Sequence, residues 1–124
     1  MLNEHEAVAT IAVKDTGSAR KFYEGKLGLK PEDVRGDEVV TYGSGRSRVF
    51  VYRSDYAGTN KATSATWTVE DVDGLARELK SKGVPFERYD IPGMKHEGDV
   101  HVAGDMRAAW FKDPDGNILS IVSG

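Results

Sequence analysis

Three histidines, the carboxylates that cluster near two of them, and two tryptophans carry most of the chemistry this sequence offers. His96 and His101 sit in IPGMKHEGDVHVAGDM with Glu97, Asp99 and Asp105. Imidazole beside carboxylate can ligate a metal or move a proton. The spacing here matches no metal-ligand pattern, and a polar, glycine-rich loop tip is the simpler reading. Connections of this length are also where lids form, and Met94 and Met106 would give one built around His96 and His101 an adaptable apolar surface. Asp113-Pro114-Asp115-Gly116-Asn117 has the acidity of a calcium loop but not the ligand spacing or distal Glu of an EF-hand. Its residues are those of a tight hairpin turn. There is no GxSxG, Walker loop or GxGxxG. With no Cys, disulfides, thiolate metal sites and Cys nucleophiles are excluded.

The elements that must position these groups fit one domain of 124 residues. Hydrophobic residues make up 39% and charged residues 30%, a globular balance that excludes a disordered or collagen-like chain. A net charge of −3 argues against nucleic acid as the main partner, because phosphate binding needs a basic surface. No apolar run approaches the ~18 residues of a membrane span. The start, MLNEHEAVAT, lacks the basic flank and apolar stretch of a signal peptide, so the expected location is a reducing cytoplasm.

Residues 7–13 read as a buried strand. The next segment reads as a helix near 17–27, because Ala19, Phe22, Tyr23 and Leu27 form one apolar stripe. Asp15 or Thr16 can cap its start, and Gly28 can supply a left-handed stop. Strands are expected near 29–34, 38–42 and 47–53. A polar linker, about 54–63, precedes a second strand at 64–69 and a helix near 72–82, capped by Asp71, with Val72, Leu75, Ala76 and Leu79 apolar and Gly83 as its stop. Strands near 84–90, 107–112 and 117–122 follow. Val13-Lys14-Asp15 returns as Val69-Glu70-Asp71, 56 residues on, so the chain is a βαβββ unit written twice: module 1 about 7–53, module 2 about 64–122. Gly17 and Gly74, in the first turns of the two helices, look like close-packing positions. Each module would leave one sheet face open, and pairing the two makes a cavity between sheets a natural outcome.

The segments VKDTGSARKFYEGKLGLKP, TVEDVDGLARELKSKGVPF and WFKDPDGNILSIV resemble the first helix, second helix and closing hairpin of the vicinal oxygen chelate superfamily. That group includes glyoxalase I, extradiol dioxygenases and fosfomycin- and bleomycin-resistance proteins. The resemblance implies an α+β fold: two βαβββ modules forming a curved eight-stranded mixed sheet around a cavity, with the helices outside. It also implies four metal-ligand positions, one on each of four strands, which fall here on Val8, Phe50, Ser64 and Ser120. Val and Phe have no donor atom, and a neutral Ser hydroxyl is a poor ligand beside imidazole or carboxylate. No metal and no cofactor are therefore expected. Strand alternation puts Thr10, Ala12, Arg48, Tyr52, Thr66, Thr68, Ile118 and Val122 on the same faces as these positions. The resemblance adds Trp110 to the cavity lining, with Ala108 two residues earlier. Trp67 has the opposite parity and reads as core against the helix.

The expected cavity, with Val8, Thr10, Arg48, Phe50, Tyr52, Ser64, Thr66, Ala108, Trp110 and Ser120, is apolar and aromatic with several hydroxyls. Trp110 would be the principal contact, its indole N–H reaching a ligand oxygen or Thr66. The alternative is that Phe50, Tyr52 and Trp110 simply fill the gap as core. Three functions follow. One is metal-free binding of a small hydrophobic or aromatic molecule, such as an antibiotic or metabolite. The second is a glyoxalase-like lyase or isomerase, or a dioxygenase-type enzyme, with a non-standard site. The third is a vestigial structural or regulatory domain. The resemblance further implies a homodimer.

Overall fold

The structure is a computed structural model that describes residues 1–124. Strand β1 (Ala9–Val13) leads through Asp15 into helix α1 (Thr16–Arg20), and the Asp15 carboxylate caps that helix by accepting from the Ser18 N–H. The expected α-helix changes character halfway. Over Lys21–Lys26 the turns widen to π type, and the Leu27 N–H bonds the Phe22 carbonyl at 3.0 Å. The apolar stripe survives the change, with Ala19, Phe22 and Tyr23 buried. Gly28 then reverses the chain at φ 75°. Strands β2 (Lys30–Arg35), β3 (Val39–Ser44) and β4 (Ser47–Arg53) complete a four-stranded sheet of order β1-β4-β3-β2, in which β1 runs parallel to β4.

After residues 54–62 the pattern restarts. Strand β5 (Thr63–Val69) is followed by helix α2 (Val72–Ser81), capped by Asp71 through the Gly74 N–H. Gly74 is a close-approach position, since a Cβ there would collide with that capping carboxylate. Gly17 is not, because a Cβ there would meet nothing nearer than ordinary contact.

The second module departs from the expected pattern at its middle. The strand expected over 84–90 shrinks to β6 (Phe86–Glu87), and the segment read as a loop holds a hairpin, β7 (Lys95–Glu97) and β8 (Val100–Ala103). Strands β9 (Met106–Lys112) and β10 (Ile118–Ser123) close the chain. The strands therefore number ten, in sheets of four and six, where eight were expected. The physical reason lies at one edge of β9. Its first half pairs with β8 and its second half with β6, so the connection must cross over the sheet and return through the β7–β8 hairpin.

The two modules share one hydrophobic core of 18 buried residues drawn from both sheets and both helices. Polar ties fix their junction. Tyr23 Oη donates to Asp113 Oδ2 at 2.7 Å, Asn117 Nδ2 donates to the Ala12 carbonyl at 2.7 Å, and the Lys14 N–H donates to Asp115 Oδ2 at 3.3 Å. The Asp113–Asn117 turn thus does more than reverse the chain, since it clamps module 2 to β1 and α1 of module 1. No helix is long and apolar enough to cross a membrane.

Candidate functional site

The face of each sheet away from the shared core carries the residues at issue. On the first sheet, Thr10, Phe50 and Thr41 form one cross-strand row, and Ala12, Tyr52 and Val39 the next. Alternation puts Val49 and Val51 into the core and leaves Phe50 and Tyr52 each 37% exposed. Val8 lies just before β1, half-buried, and the exposed Arg48 pairs with Glu32 at 2.7 Å. On the second sheet, Ser120 stands between Thr66 and Trp110. Ser120 is buried and donates to the Thr66 hydroxyl at 3.3 Å, while Ser64 is half-buried and Ala108 buried. The structure thus places these residues on two outward faces. Thr10 pairs with Phe50 on the first sheet and Thr66, Ser120 and Trp110 align on the second, and β1 and β5, the edge strands of the two sheets, lie side by side.

Trp110 is half-buried in a nest of aromatic rings. His101 stands edge-on to it at 4.8 Å and Tyr89 at 5.6 Å, and His96 meets His101 at 4.7 Å. The Trp110 indole N–H donates to Thr63 Oγ1 at 3.2 Å, and not to Thr66, which the sequence offered beside a ligand oxygen. Thr63 is the closer hydroxyl because β10 and β5 shift register between Ile118 and Leu119.

His101 is not on a loop tip. It lies in β8 opposite Ala108, fully buried, on the same face as Trp110. The small Ala108 side chain leaves it room. Its Nε2 accepts the Tyr89 N–H at 2.9 Å, so the neutral ring carries its proton on Nδ1. Burial, reinforced by the neighbouring His96, holds its pKa below the ordinary histidine value. His96, in β7, meets the Tyr89 carbonyl through Nε2 at 3.0 Å. The two histidine side chains therefore grip both backbone polar groups of Tyr89, in place of a continued β6 ladder. Tyr89 Oη and His101 Nδ1 are buried without a hydrogen-bond partner in the chain. Met94 precedes β7, half-buried, and Met106 opens β9 at the β8–β9 turn, 43% exposed. The sequence reading missed Tyr89 and Thr63. The V-H-V alternation of residues 100–102, apolar residues flanking an outward His, was the available signal for β8.

The fit to a metal follows from donor chemistry. Val8 and Phe50 supply no donor, and the Ser120 hydroxyl is engaged with Thr66. No group of three or more His, Asp or Glu side chains is arranged to hold a cation. These residues do not fit the metal that the resemblance implies at these positions.

Residues 6–121 match the family model described as the Glyoxalase/Bleomycin resistance protein/Dioxygenase superfamily. The chain belongs to that superfamily. No curated protein matches it in sequence. Among solved structures it is similar to a lactoylglutathione lyase from Agrobacterium tumefaciens, with 15% identity and a TM-score of 0.74 over 97% of this chain and 93% of that one. It is also similar to a bleomycin resistance determinant encoded on the transposon Tn5, with 19% identity and a TM-score of 0.72 over 97% and 98%. A third is an antibiotic binding protein from Streptomyces sp. CB03234, with 19% identity and a TM-score of 0.66 over 96% and 94%. At such identities the likeness establishes the fold, which is the vicinal oxygen chelate fold of two βαβββ modules. The similar structures named here include a lyase, a resistance determinant and an antibiotic binding protein, so the fold alone does not choose a function.

Proposed function

We propose that this superfamily member binds a small hydrophobic or aromatic molecule without turnover and without metal, in the manner of a sequestering protein. The observation that carries the reading is the set Val8, Phe50, Ser64 and Ser120, two side chains without a donor atom and two neutral hydroxyls, at the positions where the resemblance puts the family's metal ligands. Around it stand Phe50, Tyr52 and Trp110, which offer aromatic surface and few charges. An antibiotic or metabolite with a flat apolar body suits such a lining. The reading includes a cytoplasmic location, with which a chain without Cys is compatible.

The reading includes a homodimer. A flat ligand needs two walls, and each sheet of one chain presents its aromatic face outward, Phe50 and Tyr52 on one and Trp110 on the other. A second copy would supply the missing wall. Light scattering at high micromolar concentration tests this, and a monomer mass there rejects it.

The functional test is a titration of the protein with aromatic natural products, bleomycin among them, read by Trp fluorescence and by thermal shift. Elemental analysis for Zn, Ni, Fe and Mn accompanies it. Saturable binding to metal-free protein supports the reading. A stoichiometric metal retained through gel filtration and contacting Ser64 or Ser120 overturns it.

A further inference from the structure

A separate pocket lies on the core side of the sheets, at the seam between the modules. Leu27, Leu29 and Ser44 of module 1 face Trp67, Val69 and Leu75 of module 2 across it, and the pocket has a volume of about 150 Å3. Leu79, Phe111 and Ile121, all buried, complete it. The sequence gives Trp67 a core role on the helix side of its strand; its half-buried ring packs against the core and also forms a wall of this space.

Eight of the nine lining residues are hydrophobic. The ninth, Ser44, is already engaged, because its Oγ accepts the Trp67 indole N–H at 2.9 Å. The pocket is partly open to solvent, and water against its walls finds at most one hydroxyl partner. An apolar ring would displace that poorly held water and gain dispersion contacts along the walls, and the volume is roughly that of an apolar cavity that takes up benzene. Because both modules line it, an occupant would also bridge them.

We infer that this pocket is a second binding site, which takes an uncharged molecule of one aromatic ring between Trp67 and Leu75. It is distinct from the outward faces invoked above. Those carry Trp110 and Phe50, whereas this pocket opens on the opposite side of β5, where alternation places Trp67 and Val69.

Benzene is the probe, and the isotope-labelled full chain is the sample. Its two tryptophans give two indole N–H resonances. Benzene should shift the Trp67 resonance saturably and raise the unfolding midpoint, while the Trp110 resonance stays in place. Leu75→Phe puts a ring into the space from α2 and should weaken the response about tenfold or more. Leu29→Phe fills it from module 1 and serves if the first variant does not fold. A Trp67 resonance that fails to saturate up to the solubility of benzene overturns the inference. So does an undiminished response in a folded, filled variant. Dissociation of a dimer by benzene would also overturn it, making the pocket a seat for a side chain of a second copy.

Discussion

Replacing Trp110 by Ala separates a binding wall from a packing residue. A fully buried Trp costs about 3–5 kcal/mol to delete. Trp110 is half-buried, its indole bond to Thr63 is solvent-exposed, and its protein contacts are edge-on to Tyr89 and His101. About half of the buried cost, roughly 2 kcal/mol, is expected, read as a lower urea midpoint at unchanged slope. If the exposed half of the ring is where a ligand stacks, affinity falls by about 1–3 kcal/mol, or about 5- to 150-fold. A further signature follows from the nest. His101 is buried partly beneath Trp110, and burial is the main cause of its depressed pKa. Opening that cover should let its pKa climb back toward about 6.5, visible in the imidazole resonances. Urea unfolding, ligand titration and a proton titration by NMR together form the assay. A stability loss at the full buried-Trp level, with no ligand quenching Trp fluorescence in the parent, would refute the reasoning and leave Trp110 a core residue of a vestigial domain.

Three more outcomes follow from the structure. His101 is neutral in the fold and its pKa lies below the unfolded value, so the unfolded chain takes up the proton first. Stability should therefore be full above about pH 6.5 and fall as pH drops from there to the native-state pKa; urea midpoints of the parent should show this slope and those of His101→Gln should lose most of it. Asp113, only 5% exposed, accepts from Tyr23 Oη, from the N–H groups of Asp115 and Asn117, and from Asn117 Nδ2. Asp113→Ala strands these donors and should cost about 3–5 kcal/mol by chemical denaturation, against a much smaller loss for an exposed control such as Asp105→Ala. Gly74→Ala pushes the Asp71 carboxylate off its capping position and should cost about 1–2 kcal/mol, whereas Gly17→Ala, with no close neighbour, should be neutral or stabilising in the same assay.

Much of the fold was legible because its signals repeat. The stripe Ala19, Phe22, Tyr23 marks α1 and the π turns that continue it, and Val72, Ala76, Leu79 marks α2. Both helices begin at an Asp that caps the third residue on, Ser18 in one case and Gly74 in the other. Strand β4 ran as read, 47–53, because its alternation is unbroken and a glycine turn at Gly45, φ 56°, sets its start. The π turns of Lys21–Lys26 were not legible, since an apolar stripe of this length serves either helix type. Neither was the crossover between β6 and β8. It depends on β9 dividing one edge between two partners, a tertiary choice that no local pattern encodes.

The site was legible in register and illegible in depth. Counting by twos put Thr66, Ser120 and Trp110 on one face, and the cross-strand pairs Thr66–Ser120 and Ser120–Trp110 have that arrangement. Counting could not find Tyr89. Its backbone N–H and carbonyl are held by imidazoles from β8 and β7, contacts that span 12 and 7 residues and follow no period. That grip explains why a histidine on an outward face is fully buried: the segment it holds is the segment that covers it. The arrangement also constrains the chemistry. The Nε2 of His101 is occupied by an amide, and its ring is walled off by Tyr89, His96 and Trp110. A general base must reach its substrate's proton directly or through one water. His101 meets that condition only if Tyr89 moves, so in this conformation the nest supports Trp110 as a wall and does not supply a catalytic base.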